Sequence, residues 1–352
     1  MFIVDAHLDL AYNAIRNGRN LLRPVQDIRS EEKAAKSSLG AAIVTFPELK
    51  EAGVGIVFAT IFVGPVRSVM FKEGEKLVYS TADEAHQQGQ LQLDYYHSLW
   101  DEVEYLRPVL TAGDVENVVQ SHVTTDDPLV GMVILMEGAD PIRYPEEVEL
   151  WYERGLRIVG LAWDDTRYAA GAWRDGGGIT KEGNALLEVM AEFGIILDLT
   201  HLGEEATFQA LERYEGPIIA SHSNARALVP GQRQLSDEQI RRLIEREGVI
   251  GIVLANGFLK RGYQRGDRKE EVTLSHVTAH IDHICQLAGD ASHVGLGTDF
   301  DGGFGVESVP KEISEVADLQ LIAKNLSDYG YDDDDIAGIM GENWLRLLRR
   351  SL

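Results

Sequence analysis

Short runs of apolar and β-branched residues recur along the chain, and each breaks into polar sequence at its C-terminal end. Eight stand out, at residues 2–9, 54–63, 129–138, 156–163, 194–201, 217–223, 248–255 and 294–301. Near-continuous apolar runs of this length suit strands buried on both faces, as in a parallel sheet, better than half-exposed antiparallel strands. The intervening segments carry a helical period. Residues 182–193 place Leu186, Leu187, Val189 and Met190 on one side. Residues 236–247 open with Ser236, with Gln239 three positions on, and repeat Ile240, Leu243 and Ile244. Residues 274–287 repeat Val277, Ile281, Ile284 and Cys285. Strands alternating with helices eight times predict an α/β fold, a (β/α)8 TIM barrel. An open doubly wound sheet would carry a glycine-rich phosphate loop after its first strand, where this chain reads Asp9-Leu10-Ala11-Tyr12.

No composition shift or repeat marks a boundary, so residues 1–352 are expected to form a single barrel domain. Two long insertions, at about 16–42 and 64–127, are expected over the barrel mouth, where loops set specificity. The second holds a helix around 80–106 with Tyr95, Tyr96, Trp100 and Tyr105. The four aspartates at 332–335 read as a helix N-terminus, where carboxylates cap free amides and oppose the dipole.

Composition narrows the partners. Asp and Glu number 57 against 33 Lys and Arg, a formal net charge of -24. Such a surface repels nucleic acid and anionic membranes, which excludes both as partners, and otherwise serves solubility. The single cysteine, Cys285, excludes an internal disulfide and reads as a buried thiol on a helix. The first residues show no basic region or cleavage signature, and no run reaches the ~20 apolar residues of a membrane span. A cytoplasmic location is the expectation.

The ends of the apolar runs carry the chemistry. In this barrel class the active site lies at the C-terminal ends of the strands. There the chain places His7 and Asp9, Glu137, Asp198 and His201, His222, and Asp299 and Asp301. A polar residue at the end of a buried strand is costly without a partner, and five strands converging on His, Asp and Glu point to a metal centre. Taken singly, His201 and His222 read as satisfied core histidines; the coincidence outweighs that. Five ligands exceed the three that usually hold one catalytic zinc. A bridging Glu137 resolves the count, with His7 and Asp9 on one side and His201 and His222 on the other. Two metals so placed lower the pKa of a shared water and polarise a carbonyl. Asp299 remains as a carboxylate able to take and return a proton. His276, His280 and His283 share a helical stripe but lie on the polar shoulder of an exposed outer helix, away from any carboxylate-rich segment.

The motifs His7-Leu-Asp9, Glu137-Gly, Asp198-Leu-Thr-His201, Ser221-His222-Ser-Asn-Ala-Arg226 and Gly297-Thr-Asp299-Phe-Asp301-Gly resemble those of the membrane (renal) dipeptidase family of metallopeptidases. The likeness extends over nearly the whole chain, through Gly178-Ile-Thr, His280-Ile-Asp-His and Gly341-Glu-Asn-Trp-Leu-Arg. It implies a barrel of the metal-dependent amidohydrolase type with two zinc ions, or other divalent metals. His7, Asp9 and Glu137 would hold one ion and Glu137, His201 and His222 the other, with Asp299 as the acid/base. Arg233 matches an arginine that binds the substrate's terminal carboxylate. Two positions depart from the family pattern. Trp163 stands where a substrate-contacting histidine ends strand four, and Ala255 where a tyrosine follows strand seven. Trp163 then packs against the substrate or plugs the barrel top, while Asp164, Asp165 and Arg167 stand ready as alternative donors. Arg226 is as consistent with a structural role as with a functional one.

The expectation is a zinc-dependent dipeptidase that tolerates a D-residue at the C-terminal side and acts on a small dipeptide-like substrate, with room for a homodimer. The alternatives are the same chemistry on N-acyl amino acids or a related amide, and a non-catalytic metal-binding barrel.

Overall fold

The apolar runs become the staves of a barrel. The computed structural model describes residues 1–36, 39–174 and 176–352. Its barrel strands are β1 (Ile3–Leu8), β2 (Val54–Phe62), β3 (Val130–Glu137), β4 (Leu156–Gly160), β5 (Ile196–Asp198), β6 (Ile218–Ile219), β7 (Ile250–Ile252) and β8 (Val294–Leu296). Neighbours pair in parallel from β7 through β8 and β1 round to β6. A parallel bridge between Ala220 and Ile250 brings β6 to β7, with the Gly251 amide donating to the Ala220 carbonyl at 2.8 Å. Leu106–Pro108 adds a short strand beside the start of β3, outside the ring.

Every residue of these strands is buried, as the apolar runs require. On β3, Val133 and Leu135 join Val4, Ile56, Phe58, Ile158 and Trp344 in one cluster. Met132, Ile134 and Met136 join the apolar faces of the outer helices in another. This alternation is the pleat of the strand expressed as two packed layers. Trp344 is fully buried and its Nε1–H donates to the Leu296 carbonyl at 3.0 Å.

The later strands are shorter than the apolar runs that predict them. The chain leaves the ladder early because it must turn to aim side chains into the mouth. His201 (φ 68°), Asp299 (φ 58°) and Asp301 (φ 63°) all occupy the left-handed region, which a non-glycine residue adopts only at a cost.

The helices Lys181–Glu192, Asp237–Glu245 and Leu274–Ala288 run where the periodicity places them. Ser236 and Gln239 form the expected capping box. Asp332 caps Asp333–Ala337, its carboxylate accepting from the Asp335 amide at 2.9 Å. Cys285 is a buried free thiol.

Two expectations change. His280 is not on an exposed helix face: the backbone at Ala225 and Leu259 covers it. It is fully buried, its Nδ1 accepting from the Ala225 amide at 3.1 Å and its Nε2 facing the Leu259 carbonyl at 3.3 Å. Burial lowers its pKa to about 4. Nor does the whole second insertion cover the mouth. Met70 and Phe71 do, but the helix Ala82–Glu102 packs on the barrel wall, where the Tyr96 hydroxyl donates to the Thr60 carbonyl at 2.7 Å. The first insertion, of which residues 37 and 38 lie outside the described residues, is fastened at the mouth. The Asp301 carboxylate accepts from the Ile43 and Val44 amides at 3.0 and 3.1 Å and pairs with Arg19 at 3.2 Å.

Candidate metal centre

The C-terminal ends of β1, β3, β5, β6 and β8 meet at one end of the barrel. Glu137, the last residue of β3, projects between three imidazoles. Its Oε1 lies 3.0 Å from His201 Nε2 and 3.5 Å from His222 Nε2, and its Oε2 lies 3.7 Å from His7 Nε2. Asp9 Oδ1 is 4.0 Å from the same His7 nitrogen. Two ligand sets therefore share one carboxylate: His7, Asp9 and Glu137, and Glu137, His201 and His222. Asp299 also approaches His7 and His222 closely enough to form a third grouping. The five residues that the strand ends pointed to are brought together, with Asp299 beside them. Asp301 is not part of this group, being turned away to Arg19 and the first insertion.

The local sequence explains how each group is held. His222 Nδ1 lies 2.8 Å from Ser221 Oγ, and that hydroxyl donates to Asp198 Oδ2 at 2.5 Å. Asp198 also accepts from the Ser221 and Thr200 amides, at 2.8 and 3.0 Å. The chain Asp198–Ser221–His222 fixes the imidazole with its proton on Nδ1, leaving Nε2 free to ligate. Gly251 and Gly297 flank the Ser221 carbonyl, and a Cβ on either would overlap it. On the opposite side Asp5 is fully buried. It accepts from the Thr298 amide at 2.8 Å and hydroxyl at 2.6 Å, fixing the turn that carries Asp299. The Asp299 amide donates to the His7 carbonyl at 3.2 Å, and only a glycine at 302 leaves room for its carboxylate.

The sequence alone shows these supports only in part. Asp198 stood out at a strand end, but its link through Ser221 depends on β5 and β6 lying side by side. Asp5 had a signal, a charged residue inside an apolar run.

Electrostatics match a cation site. Burial above all, with Arg233 nearby, pushes His7 down to about 3 and His201 well below its ordinary range. Burial and the neighbouring His7 do the same to His222. Burial and Asp301 raise Asp9 to about 7. Burial, then Asp9, raises Glu137 and Asp299 well above the usual carboxylate range. Such a cluster resists charge of either sign until a cation is shared among its donors. The buried His7 Nε2 and Asp9 Oδ1 have no hydrogen-bond partner among the described residues, and His201 and His222 bring their Nε2 atoms to 3.1 Å of each other. Orphaned nitrogen and oxygen donors converging in this way fit divalent metal ions such as zinc.

A cavity of about 320 Å³ opens over the cluster, reaching Asp9, Glu137, His201, His222 and Asp299. Arg233 lines it, buried. Its Nη2 donates to the His222 carbonyl at 2.8 Å, and its guanidinium lies 5.1 Å over Phe258. Trp163 lines the opposite stretch, with ring centroids 5.3 Å from Phe62, 5.6 Å from Phe71 and 6.0 Å from His201. The cavity remains open beside it, so Trp163 is a wall rather than a plug. Ala255 also lines the cavity. The alternative donors are engaged elsewhere: Asp164 pairs with Arg174 at 2.6 Å, Asp165 accepts from the Gly171 amide at 2.9 Å, and Arg167 donates to the Asp140 carbonyl at 2.9 Å. Arg226 donates to the Gln234 carbonyl at 3.0 Å and pairs with Glu204, a structural role.

Comparison with known proteins adds an independent line. The sequence profile of the membrane dipeptidase family (peptidase family M19) matches residues 1–351. The crystal structure of a metallopeptidase described as dipeptidase AC, of the same M19 family, superposes with a TM-score of 0.80 at 27% identity, covering 100% of this chain and 98% of that one. A metallopeptidase from Rhodobacter sphaeroides, solved with a phosphinate mimic of the dipeptide L-Ala-D-Ala, gives a TM-score of 0.80 at 26% identity, covering 100% and 99%. The dipeptidase aclJ of Aspergillus oryzae is 27% identical over 315 residues, 87% of this chain and 69% of that protein.

Proposed function

The chain belongs to the membrane dipeptidase family of metallopeptidases, and from that premise we propose that it is a dipeptidase whose centre holds two zinc ions and whose substrates include dipeptides with a C-terminal D-residue. The observation that carries the two-metal reading is the position of Glu137, one carboxylate with an imidazole nitrogen 3.0 Å from one oxygen and another 3.7 Å from the other. His7 and Asp9 would complete one ion's protein ligands, and His201 and His222 the other's. Bound there, the ions supply Lewis acidity to the substrate carbonyl and bring a water's pKa toward neutrality.

The protein's own groups do the rest. Asp299 is held at the cluster's edge by a left-handed turn, facing the cavity, where it accepts the proton of the attacking water and returns it to the leaving amine. Arg233, with one edge of its fork pinned to the His222 carbonyl, meets the substrate's terminal carboxylate. The apolar wall around Trp163 excludes water from the scissile bond. The phosphinate L-Ala-D-Ala mimic bound by the Rhodobacter protein supports the D-residue. A free carboxylate opposite Arg233 is common to dipeptides and N-acyl amino acids, so the latter remain the second reading.

Purified protein restored with zinc is assayed against L,L and L,D dipeptides and N-acyl amino acids, with metal content measured in parallel. Two metal ions per chain and turnover of dipeptides are expected. Turnover of N-acyl amino acids alone would favour the second reading, and a fully metallated protein that cleaves no amide would refute both. Asp299→Asn is expected to abolish turnover and keep both ions; loss of an ion would make Asp299 a ligand instead.

A further inference from the structure

The cavity is polar at its floor and aromatic along one side. The aromatic side forms a continuous series. From Phe258, which lies beneath Arg233, ring contacts run to Trp173 (6.5 Å), Trp163 (6.2 Å), Phe62 (5.3 Å) and Tyr12 (5.5 Å), with Phe71 against Trp163 at 5.6 Å. Arg233 marks one end of the series. A substrate whose carboxylate meets Arg233 therefore extends its other residue along the wall, past the metal centre, toward Trp163, Phe62 and Phe71.

We propose that this second stretch is a subsite for a large apolar side chain, aromatic or branched aliphatic, on the substrate's N-terminal residue. The inference rests on the dipeptidase reading of the same centre. It follows from the lining. Phe62 and Trp163 meet edge to face at 61°, and Phe71 closes the corner, its ring lying against Gly64, where any side chain would displace it. Three rings fixed by one another present a preformed apolar recess, which gains by burying hydrocarbon and carries a single polar atom, the Trp163 Nε1–H.

Charge argues the same way. Aromatic faces attract cations, but the Arg16 guanidinium already lies 5.6 Å over Tyr12 and 5.7 Å over Phe71. Arg16 is in turn paired with Glu75 at 2.7 Å, so it offers little to an acidic side chain. Lysine-like and glutamate-like side chains are both disfavoured. Its three rings come from three separate segments: Phe62 ends β2, Phe71 lies in the loop at 66–77, and Trp163 follows β4.

The test uses the zinc-loaded protein and dipeptides of Phe, Leu, Ala, Lys or Glu followed by D-Ala, and the same set followed by L-Ala. Phe and Leu are expected to exceed Ala in kcat/KM by about 10- to 200-fold, the range for hydrocarbon filling an apolar pocket, with Lys and Glu no better than Ala. Trp163→Ala and, independently, Phe71→Ala should shrink the Phe-to-Ala ratio at least several-fold. Tryptophan fluorescence titration of Asp299→Asn, which is expected to bind without cleaving, should rank the dissociation constants in the same order. Equal or faster turnover of the Ala, Lys or Glu substrates, or a Phe-to-Ala ratio untouched by both substitutions, overturns the proposal and leaves the dipeptidase reading standing. Failure to cleave any dipeptide at full metal occupancy overturns both.

Discussion

The hydroxyl of Ser221 touches no substrate, yet Ser221→Ala is expected to weaken one metal site selectively. The substitution removes an oxygen that sits 2.8 Å from His222 Nδ1 and 2.5 Å from Asp198 Oδ2. His222 would then keep a buried Nδ1–H with no acceptor, a loss of about 1–3 kcal/mol, and its ring would be free to turn away from Glu137. Removal of such an outer hydrogen bond typically lowers metal affinity by about 10- to 100-fold, or about 1.4–2.7 kcal/mol. The loss should fall on the ion shared by Glu137, His201 and His222. The partner site rests on His7 and Asp9, and His7 Nδ1 makes a longer contact with the same hydroxyl, 3.5 Å against 2.8 Å, so its affinity should fall less. Competition titration with a chromogenic zinc chelator resolves the two binding steps. Asp198→Asn should weaken the same step, and the double variant should lose little more than either single one, because all three residues form one chain. A Ser221→Ala titration that matches wild type, or one in which both steps weaken equally, would refute the reasoning.

Backbone packing and acid stability provide two further tests. Gly297→Ala should force the Ser221 carbonyl out of its place between β7 and β8, costing about 1–3 kcal/mol in denaturant unfolding and releasing metal at lower chelator concentrations; an unperturbed variant would show that the glycine is incidental. His280 is held neutral by burial, its pKa lowered from 6.5 to about 4. A group with a depressed folded pKa contributes stability that is present above 6.5 and lost as pH falls toward 4, about 3 kcal/mol here. Wild type should therefore lose about that much more stability than His280→Gln between pH 7 and pH 4, and parallel pH profiles would contradict the assignment.

The strands and the donor set were legible because both follow from burial. Strands covered on both faces must be apolar, so the polar residues that end them are conspicuous and are there for a reason. Asp301 shows the limit of that logic. It satisfies the same rule as Asp299, two residues away, yet turns outward to Arg19, and nothing in the local sequence separates the two. His280 failed for the opposite reason. Helical periodicity ranks faces by their own composition, and the backbone at Ala225 and Leu259 covers a face that looks polar. The Asp198–Ser221–His222 chain and the aromatic wall required knowledge of which strand ends and loops are neighbours. That is tertiary information, which a run of apolar residues does not carry.

The join between β1 and β8 also fixes the order in which the protein can mature. His7 and Asp9 leave the ribosome well before Thr298 and Asp299, which close around them. Until then Asp5, whose carboxyl burial raises to about 6, lacks both hydrogen-bond donors of Thr298 and has no reason to leave water. The His7 and Asp9 side of the centre is thus completed only when β8 joins β1, after the residues of the Glu137, His201 and His222 side have already been made.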